Sequence, residues 1–420
     1  KKLPNGITTI DRYVPEIDFV YFEIFSKVGS GIEDTTTEGV IHLLEHLLLS
    51  CNQRYPNTYD LKRAIRQKGG ITNGSTGKND TRFYIKIPTV YFDFGKDFII
   101  DLLNTKTINL DVLAEQLRII TKEKKDATAK FGRKFFYNTK SSYWGEGNGY
   151  SIDTLGNPDE LQTMPQGVLL DFLDMLLSLE NVTISLVGNY TIEQKNELLN
   201  LLTKLSRPKP KAFTYPDDVY KYSTTTIFNE PLCKNIFISL LVPLPSYNAC
   251  EPQDIIDYQF ASGVLYQKLN DRLRIKDGLL YNLTSSVVRN TENLFTFKLD
   301  FTASTDTLEK ILTSFFNEWK LVVEDGINAK EFEYFKSSYV HSFMLRNTSA
   351  YDEALQQVDN LIGYGRFFAR KDALNARKNV LLVKTNKIIQ SELDYKKANL
   401  YLYGDIGDLN IDLEKIRQVA

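Results

Sequence analysis

Two of the chain's three histidines, His42 and His46, stand four residues apart, with Glu45 between them. On an α-helix, at about 100° per residue, all three side chains fall within a single wedge roughly 100° wide. Two imidazoles so placed can converge on one metal ion with a carboxylate beside them. This is the H-x-x-E-H order, the reverse of the H-E-x-x-H zinc motif. The surrounding stretch, Gly39-Val-Ile-His-Leu-Leu-Glu-His-Leu-Leu-Leu49, is otherwise apolar on every side. A helix of that kind is buried, so its three polar groups need a partner inside the protein. The alternative is a buried polar triad satisfied by hydrogen bonds alone. With so few histidines the motif arises by accident only about 0.001 times per chain of this size, and a buried ionic group without a metal is a poor device for stability.

Catalytic zinc usually keeps three protein ligands and one open position, so a third ligand has to come from elsewhere. Residues 110–125 place Leu113, Gln116, Ile120 and Glu123 along one stripe at helical spacing. Glu123 continues the buried face of that helix and is the candidate. The competing reading makes it one of several solvated charges in Lys122-Glu-Lys-Lys125.

The elements that must position these residues are legible in outline. Asp34-Thr-Thr-Thr-Glu38 supplies capping residues just before the histidine helix. Near the midpoint, residues 206–216 hold three prolines and read as a stiff extended linker, separating a domain over 1–205 from one over 217–420. The same signals recur in order on both sides. A β-branched and aromatic run (19–25; 236–242) is followed by a helical segment. Lys68-Gly69-Gly70 and Lys276-Asp277-Gly278 then lead into the strands at 81–87 and 294–301. Ile108-Asn109 and Ile327-Asn328 open further helices, and each half closes on a short strand ended by Gly188 or Gly404. Coincidence of generic segments is one explanation and internal duplication the other. Duplication predicts an α+β fold of two homologous domains, each a largely antiparallel sheet packed on one face against helices.

Composition narrows the function. The chain has 420 residues, and 51 Lys and Arg against 53 Asp and Glu leave a formal charge of −2. That is no footprint for nucleic acid or anionic lipid. No apolar run approaches the roughly 18 residues of a membrane span, and no signal-peptide core follows the opening Lys-Lys. Cys51, Cys233 and Cys250 are odd in number and scattered, which fits neither a disulfide framework nor a thiolate metal site and predicts a reducing cytoplasm.

Taken together, these residues resemble the pitrilysin/insulinase family of zinc peptidases, the inverzincins, and especially its short two-domain members related to mitochondrial processing peptidase. The resemblance covers essentially the whole chain. It rests on Gly39 to His46 and on a glutamate 77 residues after His46, where Glu123 stands. It also rests on Gly69-Gly-Ile-Thr-Asn73-Gly74-Ser-Thr76 with Thr81 and Tyr84, on Leu155-Gly156, and on Leu273-Arg274-Ile-Lys-Asp-Gly278-Leu-Leu-Tyr281. It implies two domains facing each other across a closed chamber. One zinc ion per chain would be bound by His42, His46 and Glu123, with Glu45 as general base. Asn73 and Gly74 would lie on an edge strand that takes up a substrate peptide as a further strand. Arg274 and Tyr281 would hydrogen-bond the substrate carbonyl and the developing oxyanion. Without the resemblance they read as a surface arginine and a core tyrosine.

There are departures. Gln116 stands where the family commonly has a glutamate; a neutral amide still orients a ligand through a hydrogen bond but contributes less charge. The second half has no H-x-x-E-H, and its matching helix around 261–269 has no histidine. His341 reads as an ordinary histidine, and Cys51 as packing. The expected function is a zinc-dependent endopeptidase acting on short or unstructured peptides, with small bacterial antimicrobial peptides among the substrates of members of this size. It would work as a homodimer or as a heterodimer with a related subunit. The alternative is a catalytically silent or partner-dependent peptide-binding subunit.

Overall fold

The computed structural model describes residues 1–216, 222–244, 252–290, 294–346, 349–364, 369–406, 412, 413 and 416. The chain runs β1 (Thr8–Tyr13), β2 (Phe19–Ser26), α1 (Val40–Leu48), α2 (Thr58–Gln67), β3 (Ile71–Thr76), β4 (Thr81–Pro88), α3 (Phe92–Leu103), α4 (Leu110–Thr128), α5 (Phe131–Trp144), α6 (Pro158–Gln162), α7 (Gln166–Leu176), β5 (Val182–Gly188) and α8 (Ile192–Lys204). It continues through β6 (Thr225–Asn229), β7 (Asn235–Leu244), α9 (Pro252–Asn270), β8 (Leu283–Arg289), β9 (Phe295–Ser304), α10 (Leu308–Asp325), α11 (Ala329–Leu345), α12 (Ala350–Tyr364), α13 (Arg370–Lys378), α14 (Leu382–Ser391) and β10 (Asn399–Gly404).

Two compact units result. The first holds Lys1–Ala129, Glu146–Asp217 and Thr348–Phe368; the second holds Lys130–Gly145, Asp218–Asn347 and Ala369–Ala420. In the first, five strands lie in the order β1-β5-β2-β4-β3, with β1 parallel to β5 and the remaining pairs antiparallel. In the second the order is β6-β10-β7-β9-β8, with β6 parallel to β10 and the rest antiparallel. The two topologies match strand for strand, as duplication predicts. β1 and β6 carry no signal that the recurrence used: each is a short edge strand, and Thr8-Thr-Ile-Asp-Arg-Tyr13 is too polar to announce itself.

The helices cover the sheets differently from the one-face expectation. In the first unit, α1, α3, α4 and α7 pack Ile41, Leu44, Phe98, Ile99, Ile120 and Leu173 against Phe22, Ile24, Phe83 and Ile85 of the sheet. The opposite face is not left to water. Ile10, Val14, Tyr21 and Val187 are closed over by Ala354 and Val358 of α12, which comes from the far end of the chain. The second unit makes the reciprocal arrangement with α5, whose Phe135 ring packs 5.9 Å from Phe237 and 6.0 Å from Tyr403. Each unit thus borrows one helix from the other half of the sequence.

Residues 206–216 contain no helix or strand, as their prolines predict, but they are tied to the first unit. Arg207 donates to the Leu103 and Thr105 carbonyls and pairs with Asp174 at 2.8 Å. The Tyr215 hydroxyl lies 2.9 Å from the Lys27 carbonyl and accepts the Gly29 N–H at 3.0 Å. Cys51 and Cys233 are free thiols; Cys250 lies outside the described residues. No described helix is long and apolar enough to cross a membrane.

One packing detail governs the histidine helix. Gly39 precedes α1 with φ of 87°, and a Cβ there would stand 2.6 Å from the Cα of Gly156. A left-handed φ costs a residue with a side chain roughly 1–2 kcal/mol, and overpacking against backbone costs a further 1–3 or so. Gly39→Ala is therefore expected to destabilise the protein by about 3 kcal/mol in urea unfolding. Gly167→Ala is the control: this glycine lies in α7 with nothing near its Cβ position, so alanine there should stabilise slightly.

Candidate metal centre

α1 is held at its start by a residue other than those expected to cap it. Gly39 is the N-cap and offers no side chain. Instead the buried Glu33 carboxylate accepts the Gly39 N–H at 3.0 Å and the Ile41 N–H at 2.7 Å. Asp34 closes the preceding turn, accepting from the Thr36 N–H at 2.8 Å and the Thr37 hydroxyl at 3.0 Å. Burial pushes the Glu33 carboxyl well above its ordinary value, against the lowering effect of those backbone donors.

From this start α1 buries Ile41, Leu43, Leu44, Leu47 and Leu48 and turns His42 and His46 to one side. Their rings meet edge to face with centroids 4.6 Å apart. α4, capped by the Asn109 side chain on the Asp111 and Val112 N–H groups, brings Glu123 to the same place. Glu123 Oε2 lies 3.9 Å from His42 Nε2 and 3.6 Å from His46 Nε2. One donor atom from each residue falls within 4.8 Å of the other two, and no other such group of three or more metal-binding side chains occurs among the described residues. Two ligands each about 2.1 Å from a tetrahedral zinc are about 3.4 Å apart, so the set fits one ion after small adjustments. The chemistry fits as well: two imidazoles and one carboxylate form a three-ligand catalytic set. The Glu123 side chain is 43% exposed and is directed at the two histidines.

Gln116, 2% exposed, meets His46 Nδ1 through Oε1 at 3.2 Å. An amide oxygen only accepts, so this contact has the Nδ1–H of His46 donating to Gln116. The Gln116 Nε2 has no hydrogen-bond partner among the described residues, so the amide supports His46 through its oxygen alone.

Glu45 is 7% exposed. Its Oε2 accepts the Thr76 hydroxyl at 2.6 Å, and burial raises its proton affinity above that of an ordinary glutamate, opposed by the Thr76 hydrogen bond and by His46. Gly74 explains how the carboxylate fits: a Cβ there would stand 2.7 Å from Glu45 Oε1 and 2.8 Å from Leu49 Cδ1. Among the described residues β3 pairs only with β4 and is the sheet edge. Strand alternation puts Thr72, Gly74 and Thr76 towards α1 and leaves Asn73 on the other, exposed face. Thr76 is a contact that had no assigned role, although its place two residues from Gly74 carries the signal.

His42, Glu45, His46, Asn73, Gly74, Gln116 and Glu123 all belong to the first unit. Arg274 and Tyr281 belong to the second. Arg274 lies exposed in the π-helical turn Asp271–Lys276 that follows α9, and Gly278, with φ of 61°, turns the chain out of it. Tyr281 is 89% exposed, so it is not the core tyrosine that its type alone suggests. His341 is on the exposed side of α11, 3.3 Å from Ser337.

Residues 10–148 match the family model described as Insulinase (Peptidase family M16), and residues 165–339 match that described as Peptidase M16 inactive domain. An uncharacterized zinc protease of Rickettsia felis is 25% identical over 191 residues, 45% of this chain and 45% of that protein. The mitochondrial-processing peptidase subunit beta of Blastocladiella emersonii is 23% identical over 189 residues, 45% of this chain and 40% of that one. The match thus spans about half the length of these curated relatives or less. Among solved structures, the first half of the periplasmic protease PqqL from Escherichia coli superposes with a TM-score of 0.84 at 15% identity, covering 100% of this chain and 95% of that one. A protease from Helicobacter pylori gives 0.78 at 15% identity, covering 96% and 98%. At this identity the likeness concerns the fold.

Proposed function

Since the chain belongs to the pitrilysin/insulinase (M16) family of peptidases, we propose that it hydrolyses peptide bonds with one zinc ion held by His42, His46 and Glu123, and with Glu45 as general base. The observation that carries this is the convergence of three donors from two helices within 4.8 Å, beside a buried carboxylate with one oxygen committed to Thr76. Held by His42, His46 and Glu123, zinc would supply Lewis acidity for the scissile carbonyl and a water made acidic enough to react near neutral pH.

The chain's own residues do the rest. Thr76 holds Glu45 Oε2, which leaves Oε1 to take the proton of the attacking water and pass it to the leaving amine. Gly74, lacking a Cβ, lets the edge strand approach that carboxylate. A peptide added alongside β3 would be held by backbone hydrogen bonds with little demand on its sequence, which suits short or unstructured substrates, small antimicrobial peptides among them. Arg274 and Tyr281 would bind the substrate carbonyl and stabilise the developing oxyanion; their exposure supports availability for such a contact. Pairing with a second copy or with a related subunit belongs to the same proposal. The free thiols among the described residues support a reducing, cytoplasmic location. An intact set of ligands and base favours the enzyme over a silent peptide-binding subunit, which has no need of them.

The test is zinc content per chain together with cleavage of a library of unstructured fluorogenic peptides. One zinc per chain and chelator-sensitive cleavage are expected. Zinc-loaded protein that cleaves nothing, alone or mixed with a related subunit, would overturn the peptidase reading.

A further inference from the structure

α4 is anchored unevenly. Gln116, Leu117 and Ile120 are buried, whereas every residue from 121 to 130 is at least partly exposed. Glu123 therefore sits on a length of helix that core packing does not hold, and such ends open locally at little cost. A metal ligand, by contrast, works only if it is kept within about 0.5 Å of its productive place.

From this loose end Lys124 reaches across to Asp153 at 2.5 Å, with the two side chains 26% and 10% exposed. Asp153 stands in a loop, residues 148–156, that is firmly fixed. Its Oδ1 accepts the Leu155 N–H at 3.0 Å. Lys78 Nζ donates to the Gly149 and Ile152 carbonyls at 3.0 and 2.8 Å, and the Ser30 and Thr154 hydroxyls meet at 3.0 Å. Gly156 lies directly against Gly39 at the start of α1. One end of the loop therefore touches the helix that carries His42 and His46, and its middle holds the helix that carries Glu123.

We propose that residues 148–156 brace the metal centre, with Asp153 and Lys124 as positioning residues that fix Glu123 relative to the two histidines. This inference rests on the zinc reading above. Lys124 follows Glu123 by one position, so its side chain leaves the helix about 100° away from the ligand and holds the backbone without competing for the ion. Breaking the pair leaves all three ligands in place, but the third must then be ordered during binding, and that ordering weakens affinity.

The experiment measures zinc dissociation constants by competition with a chelator for wild type, Lys124→Met, Asp153→Asn and the reversed pair Lys124→Asp/Asp153→Lys. Thermal unfolding of each zinc-free protein is followed in parallel. Lys124→Met keeps the aliphatic stem and is the safer variant if Asp153→Asn disturbs its own loop. The single variants are expected to bind zinc about 10- to 100-fold more weakly, the range for groups that support ligands, with zinc-free melting temperatures close to wild type and affinity partly restored in the reversed pair. Wild-type affinity in both single variants overturns the brace while leaving the zinc site standing, as does a loss of affinity matched by unfolding of the zinc-free chain. A wild-type chain that takes up no zinc overturns the metal reading and the brace with it.

Discussion

Replacing Glu45 with glutamine is expected to lower kcat/KM for peptide hydrolysis by about 100- to 10,000-fold, the range general acid–base groups contribute, while zinc content and melting temperature stay at wild-type values. The substitution isolates the proton-transfer role. Glutamine has the same length and shape, so it fits the space that Gly74 leaves open, and its amide oxygen can still accept the Thr76 hydroxyl. What disappears is the oxygen that can hold a proton. Aspartate would be a worse probe, since a shorter side chain withdraws from Thr76 and mixes loss of position with loss of basicity. Initial rates of zinc-loaded wild type and variant on one fluorogenic peptide decide the matter. Full activity in Glu45→Gln would mean that another group is the base.

Glu123→Gln is expected to weaken zinc binding by roughly 100- to 1,000-fold. Structural zinc sites are worth about 10–16 kcal/mol shared among four ligands, or some 2.5–4 kcal/mol each, and every 1.4 kcal/mol is about a factor of ten. The amide keeps the size of the side chain but gives up the anionic donor. Since Glu123 lies on a partly exposed turn of α4, the zinc-free protein should lose less than about 0.5 kcal/mol, and competition with a chelator then reads the metal alone. An unchanged dissociation constant would remove Glu123 from the ligand set.

Most of the centre was legible because it is written in local spacing. His42, Glu45 and His46 share one helical wedge whatever surrounds them, and the stripe Gln116, Ile120, Glu123 predicts which side of α4 turns inward. Glu33 was not legible as the cap of α1: it lies six residues before Gly39, beyond the reach of a capping pattern, and only the folded turn brings its carboxylate to the helix start. Thr76 was visible as part of a strand, but its bond to Glu45 depends on how closely β3 approaches α1. That the two units repeat one plan followed from the repeated signals, whereas the strand order and the covering of a second face did not. Nothing local in α12 distinguishes a helix that packs on a sheet of its own half from one that packs on strands of the first half of the chain.

That exchange bears on the order in which the protein can be completed during its synthesis. α5 leaves the ribosome before any strand of the sheet it covers, and α12 emerges long after the last strand of the sheet it covers. In the first unit His42, His46 and Glu123 are all made by residue 123, while Tyr21 and Val187 wait for their cover until residues 354 and 358 arrive. Nascent chains ordinarily finish their N-terminal domain first. Here each sheet gains its second cover from the other half of the sequence, so a cut near the midpoint is expected to leave an apolar sheet face bare in both pieces.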